Sequence, residues 1–427
     1  MILRKNCNFT LVLLALWGAG GLVLQAEEKE EIRRAEVITI ERGQPVEELV
    51  DWEGEEAQAQ IADAADAAQV SLAQPKRVQL SLEAGLLYDD NIYFSARDQV
   101  SDMLYRASLA ARLNWGDALA KEESYLTIGY RPDAYVFQSQ SEENSVDHQA
   151  DAAMKKKWAR LAVEAAGKYQ RTSGGTADLG GRVERDVFQA RAGMAYGWGA
   201  KTSVYTGIQW DAESFRERGY ADNSQWTHEG FVDYQATEKS SAGVGGAWGQ
   251  LRVRDGSRPQ DFQRVLLRAR HAATGKIVLR GQAGVEFRDT EASRSATPVF
   301  GLDADYEMTA HTVLRARAAR EILASASMNG QNYTASRLSL GATQKLGERF
   351  SFALDAGWDW HEYEAVRRGA QAQERDDSGF FIRPGFAYAF AGHWTAEAWY
   401  HWRSNDSSDR QHHYDVSQAG FNIRYDF

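Results

Sequence analysis

One cysteine and six prolines in 427 residues are few of each, and both scarcities exclude something. Cys7 stands before the first apolar stretch, "LVLLALWGAGGLVL", rather than just after it, where a lipid-modified cysteine would have to be. Downstream of residue 26 there is no thiol, which rules out disulfides and cysteine-ligated metals there. No later apolar run reaches the roughly 18 residues that a membrane-crossing helix needs. Basic excess is missing too: the formal net charge is −11, which argues against nucleic acid as a partner.

What is present begins with an export pattern. Arg4 and Lys5 precede the apolar stretch and Ala26 closes it ahead of "EEKEE", so residues 1–26 read as a signal peptide. Residues 27–76 read as an acidic periplasmic extension, partly helical or disordered. Between Glu27 and Asp66 they hold fourteen acidic residues against four basic ones, and an alanine-rich stretch follows.

From Arg77 to the last residue the hydrophobic period is two. In "RVQLSLEAGLLY", Val78, Leu80, Leu82, Ala84, Leu86 and Tyr88 share one face, and Gln79, Ser81, Glu83 and Gly85 the other, as on an extended strand. The same alternation runs through Phe350–Trp360 and Trp394–Trp402. Compact connectors such as "WGAK", "TEKS", "ATGK" and "FAGH" alternate with longer polar ones such as "TSGGTADLGGRVE" and "RSNDSSDRQHH". Their number predicts about eighteen strands, an even count that leaves both chain ends on one side, as in transmembrane barrels. A soluble sandwich would have shorter strands and Greek-key links. The expected fold is therefore all-β: an antiparallel up-and-down transmembrane barrel over residues 77–427. Aromatic residues near the strand ends, among them Trp115, Trp158, Trp198, Trp210, Trp226, Tyr306 and Trp394, match interfacial girdles.

With the apolar parity toward lipid, the other parity lines the lumen. It carries Arg106, Arg112, Arg191, Arg264, Arg268, Arg270, Arg280, Arg315, Arg317 and Arg383, with Asp303, Asp305, Glu307, Asp355, Asp359 and Glu397, and it also carries Trp399. Such charges either cross-link neighbouring strands or line a wet conduit. Inward Phe231, Phe381 and Trp399 could stack on sugar rings or pack against a filling loop. A barrel this wide leaves an aqueous interior unless something fills it, so transport is the default expectation.

Enzymatic chemistry finds little support. His401, His412 and His413 lie near Ser404, Ser407 and Ser408, but mostly in a polar loop without a nucleophile elbow. Neither "GVGGAWG" nor "TSGGTADLGG" ends in the Lys-Ser/Thr of a phosphate loop. No metal site and no cofactor is expected. The acidic run Asp89-Asp90-Asn91 within "YDDNIYF" lacks calcium-loop spacing, and neighbours on a strand point to opposite faces. It reads as a rim turn ending the first strand.

Two stretches carry a family resemblance. The terminal strand sets Phe421, Ile423, Tyr425 and Phe427 on one face and ends on phenylalanine, which resembles the signature read by the barrel assembly machinery of Gram-negative bacteria. With "LEAGLLYDDNIYF", it makes the barrel similar to the β-barrel porin family associated with exopolysaccharide gene clusters. That resemblance implies an outer-membrane channel, set in lipid and lipopolysaccharide, that exports a secreted or capsular polysaccharide with a periplasmic polysaccharide-export protein. The alternatives are a general or solute-specific porin, and a structural or adhesive surface barrel.

Overall fold

The structure, a computed structural model, describes residues 77–116, 124–328, 330–367 and 374–427. The expected signal peptide and acidic extension lie outside the described residues. In chain order the wall strands are β1 (Val78–Asp89), β2 (Asp102–Gly116), β3 (Tyr125–Phe137), β4 (Ser145–Lys157), β5 (Leu161–Thr172) and β6 (Arg185–Gly197). They continue with β7 (Thr202–Phe215), β8 (Asn223–Thr237), β9 (Ser240–Val253), β10 (Gln260–Thr274), β11 (Ile277–Asp289) and β12 (Arg294–Thr309). The last six are β13 (Thr312–Ala324), β14 (Gln331–Leu346), β15 (Phe350–Ala365), β16 (Asp376–Phe390), β17 (Trp394–Ser407) and β18 (Tyr414–Asp426).

These form one 18-stranded sheet in which each strand lies antiparallel to its chain neighbours. β1 pairs with β2 from Val78↔Leu113 to Asp89↔Asp102, and with β18 from Ser81↔Asp426 to Asp89↔Gln418, so the sheet closes on itself. Closure satisfies the backbone within the wall, the condition for crossing hydrocarbon with strands.

The period of two settles which face is which. Leu82, Leu109, Ile128, Val244, Val265, Leu302 and Leu340 are exposed on the outside, and Leu267 reaches 64%. Water would not tolerate so continuous an apolar belt, whereas lipid tails solvate it. Exposed Trp115, Trp158, Trp198, Tyr234, Tyr306, Phe350 and Trp394 ring the short-turn end, and Tyr88, Tyr105, Trp210, Trp226, Trp248 and Trp360 the long-loop end. Strands of 12 to 16 residues exceed the roughly 9–11 that span the hydrocarbon, so the wall stands proud of the membrane.

Proline explains where the ladder fails. It has no N–H to give, so a wall strand that contains it loses a rung. Between β2 and β3 the register passes from Ser108↔Asp133 to Ala111↔Tyr130, skipping Pro132. Between β16 and β17 it passes from Ile382↔Trp402 to Gly385↔Trp399, skipping Pro384. Between β12 and β13 it ends at Phe300↔Arg320, just short of Pro298, although both strands continue.

The rim turn is built by side chains standing in for backbone. Asp89 Oδ1 accepts from Asn91 N–H at 2.9 Å, and Asn91 Oδ1 accepts from Ser95 N–H at 2.9 Å. Asn91 Nδ2 donates to the Asp415 carbonyl at 3.0 Å, and Asp90 Oδ1 accepts from Ser417 N–H at 2.7 Å. The acidic run thus fastens the end of β1 to the start of β18.

Candidate functional site

All the charged residues expected inside, and Trp399, occupy the inward parity of their strands, and most of the charged ones meet an opposite charge on a nearby strand. Arg106 on β2 bridges Glu83 on β1 (3.0 Å) and Asp133 on β3 (2.6 Å). Arg264 meets Glu286 at 2.8 Å, Arg280 meets Asp305 at 2.5 Å and Arg317 meets Asp303 at 3.4 Å. Arg268 reaches past β9 to Asp233, its Nε 2.7 Å from Oδ1. Asp359 receives Arg337 on β14 and, at 3.9 Å, Arg403 on β17. Asp355 stands opposite Arg383 in the register, and Glu397 opposite Asn422. Arg112 is only half covered and reaches Asp151 at 3.4 Å. Arg191, Arg270, Glu307 and Arg315 share the same face.

These pairs answer the question of what the inward charges do. Arginine and carboxylate from adjacent or next-but-one strands form a lattice on the inner wall, and removing one partner would strand the other. The inward aromatics are covered as well: Arg268 lies over Phe231 at 3.9 Å and Arg383 over Trp399 at 4.6 Å. Phe381 packs edge-on to His401. None of the three presents an open face on which a sugar ring could stack.

The loop-side mouth holds the features that local sequence did not disclose. Residues 173–184, between β5 and β6, form a strap that carries a two-rung ribbon, Gly175↔Arg182 and Thr176↔Gly181. At its turn, the Asp178 carboxylate accepts from Ser325 Oγ at 2.7 Å, Ala326 N–H at 2.8 Å, Tyr363 O–H at 3.0 Å and Ser327 Oγ at 3.1 Å. Arg375 donates to the carbonyls of Ala177 (2.6 Å) and Asp178 (3.2 Å) while holding Asp377. These partners belong to the β13–β14 tip, to β15 and to the entry of β16, half the ring away from β5 and β6. The strap therefore crosses the lumen and is tied to the far wall.

Its glycines allow close approach. A Cβ on Gly175 would lie 2.6 Å from the Phe94 ring, and one on Gly180, where φ is +61°, would lie 2.6 Å from His412. Leu179 and Val183 bury with Ala326 against Phe215 and Tyr220, giving the crossing an apolar filling. Of the serines and histidines expected mostly in a polar loop, His401 and Ser404 lie on β17, and His412 is drawn into the mouth. That ring packs on the strap and its Nδ1 lies 3.1 Å from Asp409, while His413 faces Asp406.

Beneath the strap lies a cavity of about 160 Å³ between the inner faces of β6–β9 and β13–β15. Its carboxylates are Asp178, Asp211, Glu213, Glu321 and Asp359, and its guanidiniums Arg185 and Arg337, with Tyr333 and His361 beside them. None of these was singled out from sequence except Asp359. The available hint was Asp178 itself, an acid between two glycine pairs and directly followed by the loop's leucine, Leu179.

No protein-family model matches the chain, and no curated protein does either. Among solved structures, Pseudomonas aeruginosa OpdQ superposes with a TM-score of 0.43 at 7% identity, covering 82% of this chain and 97% of that one. OccK2 (OpdF) of the same organism gives 0.43 at 9% identity over 82% and 97%. The siderophore receptor PirA from P. aeruginosa gives 0.42 at 8% identity over 84% and 81%. Identities this low carry no residue correspondence.

Proposed function

We propose that the chain is an outer-membrane channel for small hydrophilic solutes, held narrow at its loop end by the 173–184 strap. A closed strand barrel with a lipid-facing belt suits that membrane, where strands rather than helices make the crossing. The observation that carries the proposal is the strap anchored across the lumen above a polar cavity, because it narrows the mouth through which solutes enter. Five carboxylates against two guanidiniums line that cavity, so cations and zwitterions pass in preference to anions.

The narrower reading, polysaccharide export with a periplasmic partner, rests on the resemblance of "LEAGLLYDDNIYF" and the terminal strand. The lumen lends it no support, since the aromatics that would carry a sugar chain are covered, Phe231 and Trp399 by arginine and Phe381 beside His401. The acidic segment 27–76, which would dock such a partner, lies outside the described residues.

Reconstitution of the full-length chain in planar bilayers tests the proposal. Discrete conductance steps are expected, with a reversal potential in a salt gradient that marks cation preference. Absence of any open state across voltage, pH and salt would count against a channel.

A further inference from the structure

The wall does not close evenly at the loop end. β12 runs on to Arg294 and β13 to Ala324, yet their mutual ladder stops at Phe300↔Arg320. β13 nevertheless stays paired with β14 up to Ala324↔Asn332, so the hairpin is intact and has left its neighbour. Pro298 sits just past the parting, where it cannot donate a rung.

The hairpin has gone inward. On β14 the lumen parity is set by Arg337 and Tyr333, and Tyr333 stacks on Tyr363, which bonds the strap. The opposite parity, Asn332 and Thr334, should face outward and be exposed, yet each is only 4% exposed. Asn332 exchanges two amide hydrogen bonds with Gln260, at 2.7 and 3.2 Å. Gln260 shares its parity with Arg264 and Arg268, on the inner face of β10. The upper hairpin thus lies inside the wall, overlapped by β10–β12 like the inner edge of a scroll.

We infer that the upper arms of β13 and β14, Glu321–Ala324 and Gln331–Ala335, form a gate with two seats. In the inner seat they are clasped by Gln260 on one side and by the strap, through Asp178, on the other. In the outer seat β13 zips onto the waiting edge of β12. Continuing the register from Phe300↔Arg320 places Leu323 against Thr297 and Ala324 against Ala296. Moving outward withdraws Ser325 and Ala326 from Asp178 and enlarges the cavity, so the channel opens without unfolding the strap. The proposal rests on the channel reading above.

Cysteines can trap the outer seat, since the only other thiol in the sequence is Cys7. Ala296→Cys with Ala324→Cys is the first pair and Thr297→Cys with Leu323→Cys the second. Native barrel content is checked by heat-modifiable gel mobility. Oxidation is expected to cross-link both pairs, about tenfold faster when Asn332→Ala removes the clasp, a buried amide pair being worth roughly that factor. The cross-linked channel should conduct more and return to its starting conductance on reduction. Failure of both pairs to cross-link in folded, conducting protein overturns the gate, and so does cross-linking that leaves conductance unchanged. If no variant conducts in either redox state, it is the channel reading that fails, and the cross-linking rates still decide whether the arm moves.

Discussion

Asp178→Ala removes the acceptor on which the strap is tied. Four donors converge on that carboxylate within 2.7–3.1 Å. A hydrogen bond to a charged acceptor contributes about 1.5–3 kcal/mol, but the four are not additive, and water from the adjoining cavity can rehydrate the abandoned donors. A net loss of roughly 3 kcal/mol is therefore a fair magnitude, equivalent to about a 150-fold fall in the ratio of closed to open channel. Asp178→Asn keeps one carbonyl acceptor and the shape, and should shift the ratio only about tenfold. Single-channel recording reads the open probability directly, and amide exchange across 173–184 reads the strap itself. The reasoning is refuted if Asp178→Ala protein with native gel mobility keeps its open probability within about twofold of the parent, since the donors would then contribute under about 0.4 kcal/mol.

Three further outcomes follow from the same geometry. Asp233→Ala strands Arg268 inside the wall and should destabilise the barrel by about 3–5 kcal/mol in urea titrations, whereas Asp233→Leu with Arg268→Met should be nearly neutral; equal losses would contradict the pairing. Burial first, then the Arg375 charge, hold the His412 imidazole below its usual pKa, with Asp409 opposing. A depressed base takes up fewer protons in the closed loop than in the loosened one, so closure is fully present above about pH 6.5 and weakens as pH falls through that value. Open probability should rise on acidification to about pH 5, and His412→Gln should flatten the profile. Removing Phe427, whose amide donates to the Leu80 carbonyl at 3.0 Å and whose ring meets Tyr425 edge-on, should lower the heat-modifiable barrel recovered from membranes severalfold; undiminished recovery would deny the terminal residue a part in assembly.

The wall was legible because its information is local. Val78 to Tyr88 declare two faces by parity alone, and the compact and long connectors count the hairpins. The rim turn was legible for the same reason, Asp89 and Asn91 bonding their own neighbours. The strap was not, because the partners of Asp178 stand 147 to 185 residues away and "TSGGTADLGGRVE" on its own is an ordinary polar loop. Trp399 and Phe231 show the converse limit: parity placed them inside, but whether their faces are open depends on Arg383 and Arg268 from other strands. Pro298 was in plain view, yet its effect appears only when the strand beside it is known to be β13.

Closure of the wall by β1 against β18 fixes an order of events. Leu82 pairs with Tyr425, so the first strand's partner is synthesised only after the sixteen wall strands between them. Throughout that interval the chain carries two unsatisfied sheet edges, each a template for pairing with a stranger. No product that lacks β18 can finish this ring, and so quality control in this architecture amounts to asking whether β18 has arrived.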